Sequence, residues 1–427
     1  MTVRAYPAAL RSNFRYLYLD ILWFGVLAGS SLAFVSIYAT RLGASAFEIS
    51  LLTAGPATVN LLISLPAGEW LRNRALIPTT FWSAFWHRLG YIILVPLPWL
   101  FHDQLQVWLI ILLTLLMSIP GTILAISFNS VFAEVVPPEW RSEVVGKRNA
   151  IVAISLTITT LLSGQLLDWL VFPVNYIVVF AIGALGGGLS TYYLKKLKAP
   201  RRENSPLNQT QPENLVKPGG GLPGVFRPAV GLRYFSRTTL SQMLHLDLLR
   251  TSFGLLMLAY LLFYSFQYLG IPLFPLVQVR VLNLSDGMIS LGSSLFYGVM
   301  LLVSLRIVEI STRLGHKRTL AFGATIFASY PLLLGLAQGP ALFWVASFIG
   351  GGAWGITNAG LTNRLMERVP DNQRPPGMAL HNLVLNLGIL AGSLAAPLLG
   401  DAVGLQPALF VVAILRLLAG GLFWLWG

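Results

Sequence analysis

The 427-residue chain contains no cysteine, which excludes disulfides and thiolate metal sites and leaves the compartment open. Charge is scarce: 11% of residues are Asp, Glu, Lys or Arg, where soluble domains carry about 25%. Its five histidines, His87, His102, His245, His316 and His381, show no metal-ligand spacing with acids. No G-x-x-x-x-G-K loop is present to cradle phosphates, so nucleotide hydrolysis is not expected. No catalytic constellation, metal site or cofactor is expected from this pattern. Acidic residues are outnumbered 16 to 29 by Lys and Arg, for a net charge of +13. The basic residues stand between apolar runs, without the basic patch and interleaved aromatics of a nucleic-acid surface. Nucleic acid is therefore not an expected partner.

Apolar residues are abundant. They make up 55% of the chain, and the mean hydropathy is +0.70. A soluble protein of this composition would expose large greasy patches, so a lipid bilayer is the expected solvent. A spanning helix needs ~20 mostly apolar residues. Twelve stretches qualify: 16–39, 47–71, 78–100, 105–133, 146–171, 174–195, 251–275, 286–310, 316–336, 340–363, 378–399 and 407–426. None shows the alternation of short segments that a barrel needs, so all are read as helices. The basic N-terminal segment up to Arg15 reads as the flank of an uncleaved first span. Lys and Arg crowd the even-numbered connectors and the N-terminus, whereas the odd-side connectors hold only Arg41 and Arg280. That bias predicts both termini in the cytoplasm of a cell whose inner membrane the chain spans many times.

Two internal correspondences divide the chain. VPPEWRSEVVGKRN, Val136 to Asn149, returns 233 residues later as VPDNQRPPGMALHN, Val369 to Asn382. The coincident pairs include Glu134/Glu367, Arg141/Arg374 and Asn149/Asn382, and Asp168/Asp401 falls at the same offset. At an offset of 240, Leu42 to Glu69 matches Leu282 to Glu309 at 11 of 28 positions, among them Ser45/Ser285, Ser50/Ser290 and Glu69/Glu309. A duplicated six-span unit follows, its copies related by a pseudo-two-fold axis along the membrane normal. The expected domains are an N-terminal bundle 1–194, a central cytoplasmic loop 195–250 and a C-terminal bundle 251–427. The loop passes through Gly219, Gly220 and Gly221 and reads in part as flexible linker. Its later part has amphipathic spacing at Phe235, Leu240, Leu244 and Leu248, either a surface helix or an ordinary pre-span helix.

At this point the chain resembles the major facilitator superfamily of secondary transporters over almost its whole length. LPAGEWLRNR keeps Gly68, Arg72 and Arg74 of the family's signature after span 2 but has no Asp. After span 8, EISTRLGHKR keeps Arg313, Gly315, Lys317 and Arg318, with Thr312 in place of the Asp. Span 4 lacks the Arg and span 5 the Gly-Pro of the family's proton-linked drug antiporters. The resemblance implies an all-α integral membrane protein of twelve transmembrane helices in two six-helix bundles. It also implies a cavity lined mainly by spans 1, 4, 7 and 10 that opens alternately to each side.

Interrupted helices come first among the mechanistic candidates. Pro120-Gly121 lies mid-way along span 4, and Gly350-Gly351-Gly352 occupies the matching place in span 10. They mark either bending points or close packing. Gly388, Gly392 and Ala396 in span 11 read as a packing seam. Intramembrane charges are expensive and face protein or water. Asp20 in span 1 is a candidate proton, cation or substrate contact, with an ion pair to a nearby Arg or Lys as the alternative. Arg88 in span 3 and Arg416 in span 12 lie on helices that brace the outside in the family, which favours structural pairing; either could hold an anionic substrate instead.

Neutral polar and aromatic residues complete the cavity candidates: Trp23, Asn60, Asn129, Tyr260, Tyr264, Gln267, Tyr268, Trp354, Asn358 and Asn386. Amides orient ligands, and aromatic faces accept apolar or cationic ones. Glu134, Arg141, Glu367 and Arg374 are candidates for a cytoplasmic gate or, alternatively, topology-setting charges. The function expected is secondary transport of a small solute, with protons or another ion as coupling partner, by a protein acting as a monomer in the bilayer. A non-transporting receptor and a lipid-handling protein on the same fold are the alternatives.

Overall fold

The structure is a computed structural model that describes residues 8–72, 74–198, 249–369 and 374–427. Among these residues almost all are helical and none forms a strand. Twelve long helices follow one another. In the first half they are α1 (Leu10–Arg41), α2 (Ala46–Leu71), α3 (Leu76–Leu94), α4 (Asp103–Val135), α5 (Pro138–Trp169) and α6 (Val174–Lys195). The second half holds α7 (Ser252–Val281), α8 (Asp286–Leu305), α9 (His316–Leu336), α10 (Pro340–Arg368), α11 (Arg374–Val403) and α12 (Leu405–Trp426).

Ten of the described helices are long and apolar enough to cross a membrane. The exceptions among the twelve are α3 and α10. In α3, His87 and Arg88 dilute the apolar character; in α10, Gly350, Gly351, Gly352, Asn358 and Arg364 do. Both are packed among the apolar ten, α3 against α4 and α6, and α10 against α8 and α9. Most of the expected central loop, including Phe235, Leu240, Leu244 and Leu248, lies outside the described residues.

Local sequence sets the helix starts. Ser45 accepts from the Glu48 backbone N–H, and Glu48 accepts in return from the Ser45 N–H, a capping box that opens α2. Its repeat partner Ser285 caps α8 by accepting from the Met288 N–H. Pro138 and Pro340 occupy the first positions of α5 and α10, where a missing N–H costs nothing. One sequence expectation is corrected here. The VPPEWRSEVVGKRN stretch is mostly not a connector, because α5 begins at Pro138 and extends well before its apolar part. Charged side chains are tolerated there because lipid solvates only the helix's apolar middle.

The packing order repeats in the two halves. In the first, α1 lies against α5 and α6, α2 against α4, and α3 against α4 and α6. In the second, α7 lies against α11 and α12, α8 against α10, and α9 against α10 and α12. The halves meet through two matching contacts, α2 with α11 and α5 with α8. Close approach requires missing side chains. A Cβ on Gly29 would stand 2.6 Å from the Leu156 carbonyl oxygen, and one on Gly392 2.2 Å from that of Ser265. The Gly388–Gly392 stripe thus seats α11 on α7 as a packing seam. Helix α10 runs unbroken through Gly350–Gly352, where Gly351 faces the Phe296 carbonyl of α8. Helix α4 likewise continues through Pro120.

Candidate functional site

The first half buries an ionic cluster. Asp20 on α1 is 4% exposed. Its Oδ2 lies 3.3 Å from Arg148 Nη2 on α5, and its Oδ1 lies 3.7 Å from Arg88 Nη2 on α3. Ser190 on α6 donates to Oδ1 at 2.5 Å. Arg148 also donates to the Leu17 carbonyl at 2.7 Å and stacks 4.7 Å above the Phe128 ring, while Arg88 donates to Thr191 at 2.9 Å. Four helices therefore meet at one carboxylate. Two guanidiniums share it, so among the described residues the cluster holds one more cation than anion. It borders a 340 Å³ cavity whose wall also includes His87, Gly121 and Phe128.

The second half carries no acid at the corresponding place. Arg416 on α12 is 0% exposed and donates to the Gln267 carbonyl on α7 at 2.9 Å. Its guanidinium lies 4.8 Å from the Phe327 ring centre and 5.5 Å from that of Phe274. Gln267, Tyr268 and Trp354 border a 310 Å³ cavity together with Phe274, Phe327 and Tyr330. Of the sequence candidates, these three are brought together. Tyr260 and Tyr264 instead face His381 within the same bundle: the Tyr260 hydroxyl donates to the Leu361 carbonyl, and Tyr264 hydrogen-bonds His381 at 2.9 Å.

The remaining candidates are dispersed. Trp23 is half-buried on α1, with its backbone carbonyl close to Gly186 of α6. Asn60 accepts from the Thr122 hydroxyl, joining α2 to α4. Asn129 and Asn358 are exposed. Asn386 is buried, donates to the Asn382 carbonyl at 2.8 Å, and borders a 240 Å³ cavity between the halves. That cavity is walled by Leu61 and Ser64 of α2, Ile126 of α4, and Ala379, Asn382 and Leu383 of α11. A 710 Å³ concavity lies on the flank formed by α2, α3 and α4, beside the exposed Trp70, Trp82 and Trp86.

Polar bonds between the halves concentrate at the end where α1, α5 and α7 finish. Arg41 pairs with Asp286 at 3.0 Å and donates to the Leu284 carbonyl at 2.5 Å. The Tyr176 hydroxyl donates to the other Asp286 oxygen at 2.8 Å. Asp168 accepts from the Ser285 hydroxyl at 2.8 Å and the Gly287 N–H at 3.0 Å, and Arg280 donates to the Ala44 carbonyl at 2.5 Å. The two lone odd-side arginines are thus both clasp residues.

At the opposite end, Arg141 turns back on α4. It donates to the Ala133 carbonyl at 2.7 Å and the Val136 carbonyl at 3.1 Å, satisfying acceptors that the helix end leaves open. Glu134 is exposed. Glu367 pairs with Arg364 of its own helix at 2.6 Å. Arg374 opens α11, and its side chain lies outside the described residues.

Sequence reasoning missed Arg148, Ser190, Tyr176 and Asp286 as site residues. Arg148 lies only at the start of the expected span 146–171 and counted among the connector charges, and no sequence signal pairs it with Asp20. A single Asp at a helix start gave Asp286 no distinguishing signal.

With this geometry in view, the profile of the Major Facilitator Superfamily matches residues 21–266 and 256–427. The chain belongs to that superfamily. Among solved structures, a D-xylose-proton symporter is similar at a TM-score of 0.69 and 13% identity, covering 98% of each chain. The nucleoside transporter NupG, in a point-mutant form, gives 0.68 and 13%, over 96% of this chain and 99% of that one. A bacterial homolog of the human lysosomal transporter Spinster, inward-facing and unoccupied, gives 0.66 and 13%, over 99% of this chain and 98% of that one. At this identity the likeness shows the fold alone. No curated protein sequence matches the chain. Membership makes it a multi-pass membrane protein of the transporter class.

Proposed function

We propose that the chain is a secondary active transporter of a small solute that works by rocking two six-helix bundles, residues 1–194 and 251–427. The observation that carries this reading is the asymmetry between the two ends. One end is held by the Arg41–Asp286–Tyr176 and Asp168–Ser285 clasp, while a 240 Å³ cavity lies between the halves toward the other. With both termini in the cytoplasm, as the Lys and Arg bias supports, the clasp closes the outer face and the protein faces inward.

Coupling to a proton or other ion fits the symporter among the structural neighbours. Asp20 enters such coupling only on leaving Arg148 and Arg88, since both its oxygens are engaged. Purified protein in proteoliposomes tests the proposal: solute accumulates and the accumulation collapses when the ion gradient is dissipated. Binding without accumulation of any solute under any imposed gradient would favour a receptor. Intact gradient-driven uptake in Asp20→Asn would remove Asp20 from the coupling path.

A further inference from the structure

Arg416 is a desolvated cation with bonds left open. Its Nη2 has the Gln267 carbonyl, but Nε and Nη1 have no hydrogen-bond partner among the described residues, and neither does Gln267 Oε1. A buried guanidinium is tolerated when a carboxylate and enough acceptors satisfy its fork of donors. Here two aromatic faces and one carbonyl stand in their place. Gln267, Phe274 and Phe327, which surround this guanidinium, also form part of the wall of the 310 Å³ cavity.

We propose that this cavity is a subsite for a small aromatic carboxylate, with Arg416 as its counter-charge. The proposal rests on the transporter reading and names its substrate class. The ring of the solute stacks among Phe296, Trp354 and their neighbours, and its carboxylate accepts from the open guanidinium N–H groups once a covering ring changes rotamer. The Gln267 amide accepts a ring hydroxyl or, turned over, offers its N–H groups to the carboxylate. A cationic solute is disfavoured, because the aromatic faces beside Arg416 already hold a cation. The excess guanidinium beside Asp20 in the first half biases the membrane interior the same way.

The test is thermal stabilisation of the purified full-length chain by phenylacetate, 2-phenylethanol, 2-phenylethylamine and inorganic phosphate, read as a shift in apparent melting temperature. Phenylacetate alone is expected to give a saturable shift. Arg416→Met, which keeps the unbranched apolar stem without the charged fork, is expected to weaken phenylacetate binding about 30-fold or more while its ligand-free stability equals or exceeds wild type. Should that variant not fold, Arg416→Lys keeps the charge but loses the fork, and about tenfold weaker binding is expected. No shift with phenylacetate, an equal shift with the alcohol or with phosphate, or an undiminished shift in either variant overturns the subsite. Uptake of another solute by protein that does not bind phenylacetate also overturns it and leaves the transporter reading standing. Phenylacetate binding without transport of any solute supports the subsite and sinks the transporter reading.

Discussion

Asp20 and Arg148 in the first half fall, at the two repeat offsets, on Tyr260 and His381 in the second. The helices concerned, α1 with α5 and α7 with α11, pack in the same way. One copy joins them by an ion pair at 3.3 Å, reinforced by Arg88 and Ser190. The other uses an edge-on Tyr–His contact at 5.4 Å, in which neither ring needs a formal charge. The charge that the second half does bury, Arg416, sits on a helix whose repeat position in the first half is Gly183, packed against Ser31. Duplication preserved the helix scaffold while the polar interior diverged. Seams between helices tolerate few side chains, whereas an interior site needs only that its own charges and donors balance.

Breaking the ion cluster has the largest expected effect. Asp20→Ala leaves two buried guanidiniums without a carboxylate and is expected to cost about 3–5 kcal/mol. Tyr260→Phe, at the repeat-equivalent place, removes one hydrogen bond to the Leu361 carbonyl and is expected to cost about 1–2 kcal/mol. Denaturation of both variants in the same detergent checks the ratio; equal losses would dissolve the contrast between the halves.

The helix seams should respond alike in both copies. Gly29→Ala and Gly392→Ala each drive a methyl into a neighbouring backbone carbonyl, with an expected loss of about 1–3 kcal/mol apiece. A large difference between them would mean that the scaffold, too, had diverged.

The clasp separates the ends. Asp286→Asn weakens the contacts to Arg41 and Tyr176 and is expected to shift the population toward the outward-open form by about 1–2 kcal/mol, roughly five- to thirtyfold. Because the chain has no native cysteine, single cysteines introduced at Ala44 and Leu284 report the change directly by labelling rate. Unchanged labelling would show that apolar packing alone closes this face.

The smallest effect belongs to the caps. Ser45→Ala and Ser285→Ala are each expected to cost about 1 kcal/mol. Ser285 should be the more sensitive, because its hydroxyl also donates to Asp168 across the halves. Thermal melts of the pair resolve the difference.

Much of the architecture was legible beforehand. Ser45/Ser285 matched in sequence and both proved to be helix caps, and the Gly388–Gly392 spacing proved to be a seam. The site was less legible. Gln267, Tyr268 and Trp354 do share a cavity, but Tyr260 and Tyr264 on the same helix turn to His381, a choice fixed by which face α7 presents to α11.

Composition and hydrophobic run length determined that the chain lives in lipid as a helical protein, because no other solvent tolerates so much apolar surface. The repeat determined that it is built twice, because matched polar residues rarely recur by chance. Only the tertiary structure decided which charges meet. Arg88 and Arg148 are 60 positions apart in the chain yet converge on one carboxylate, and Arg41 finds Asp286 across the two halves. Charge partners in a membrane protein are set by which helix faces are turned inward together, and that is a property of the packed bundle.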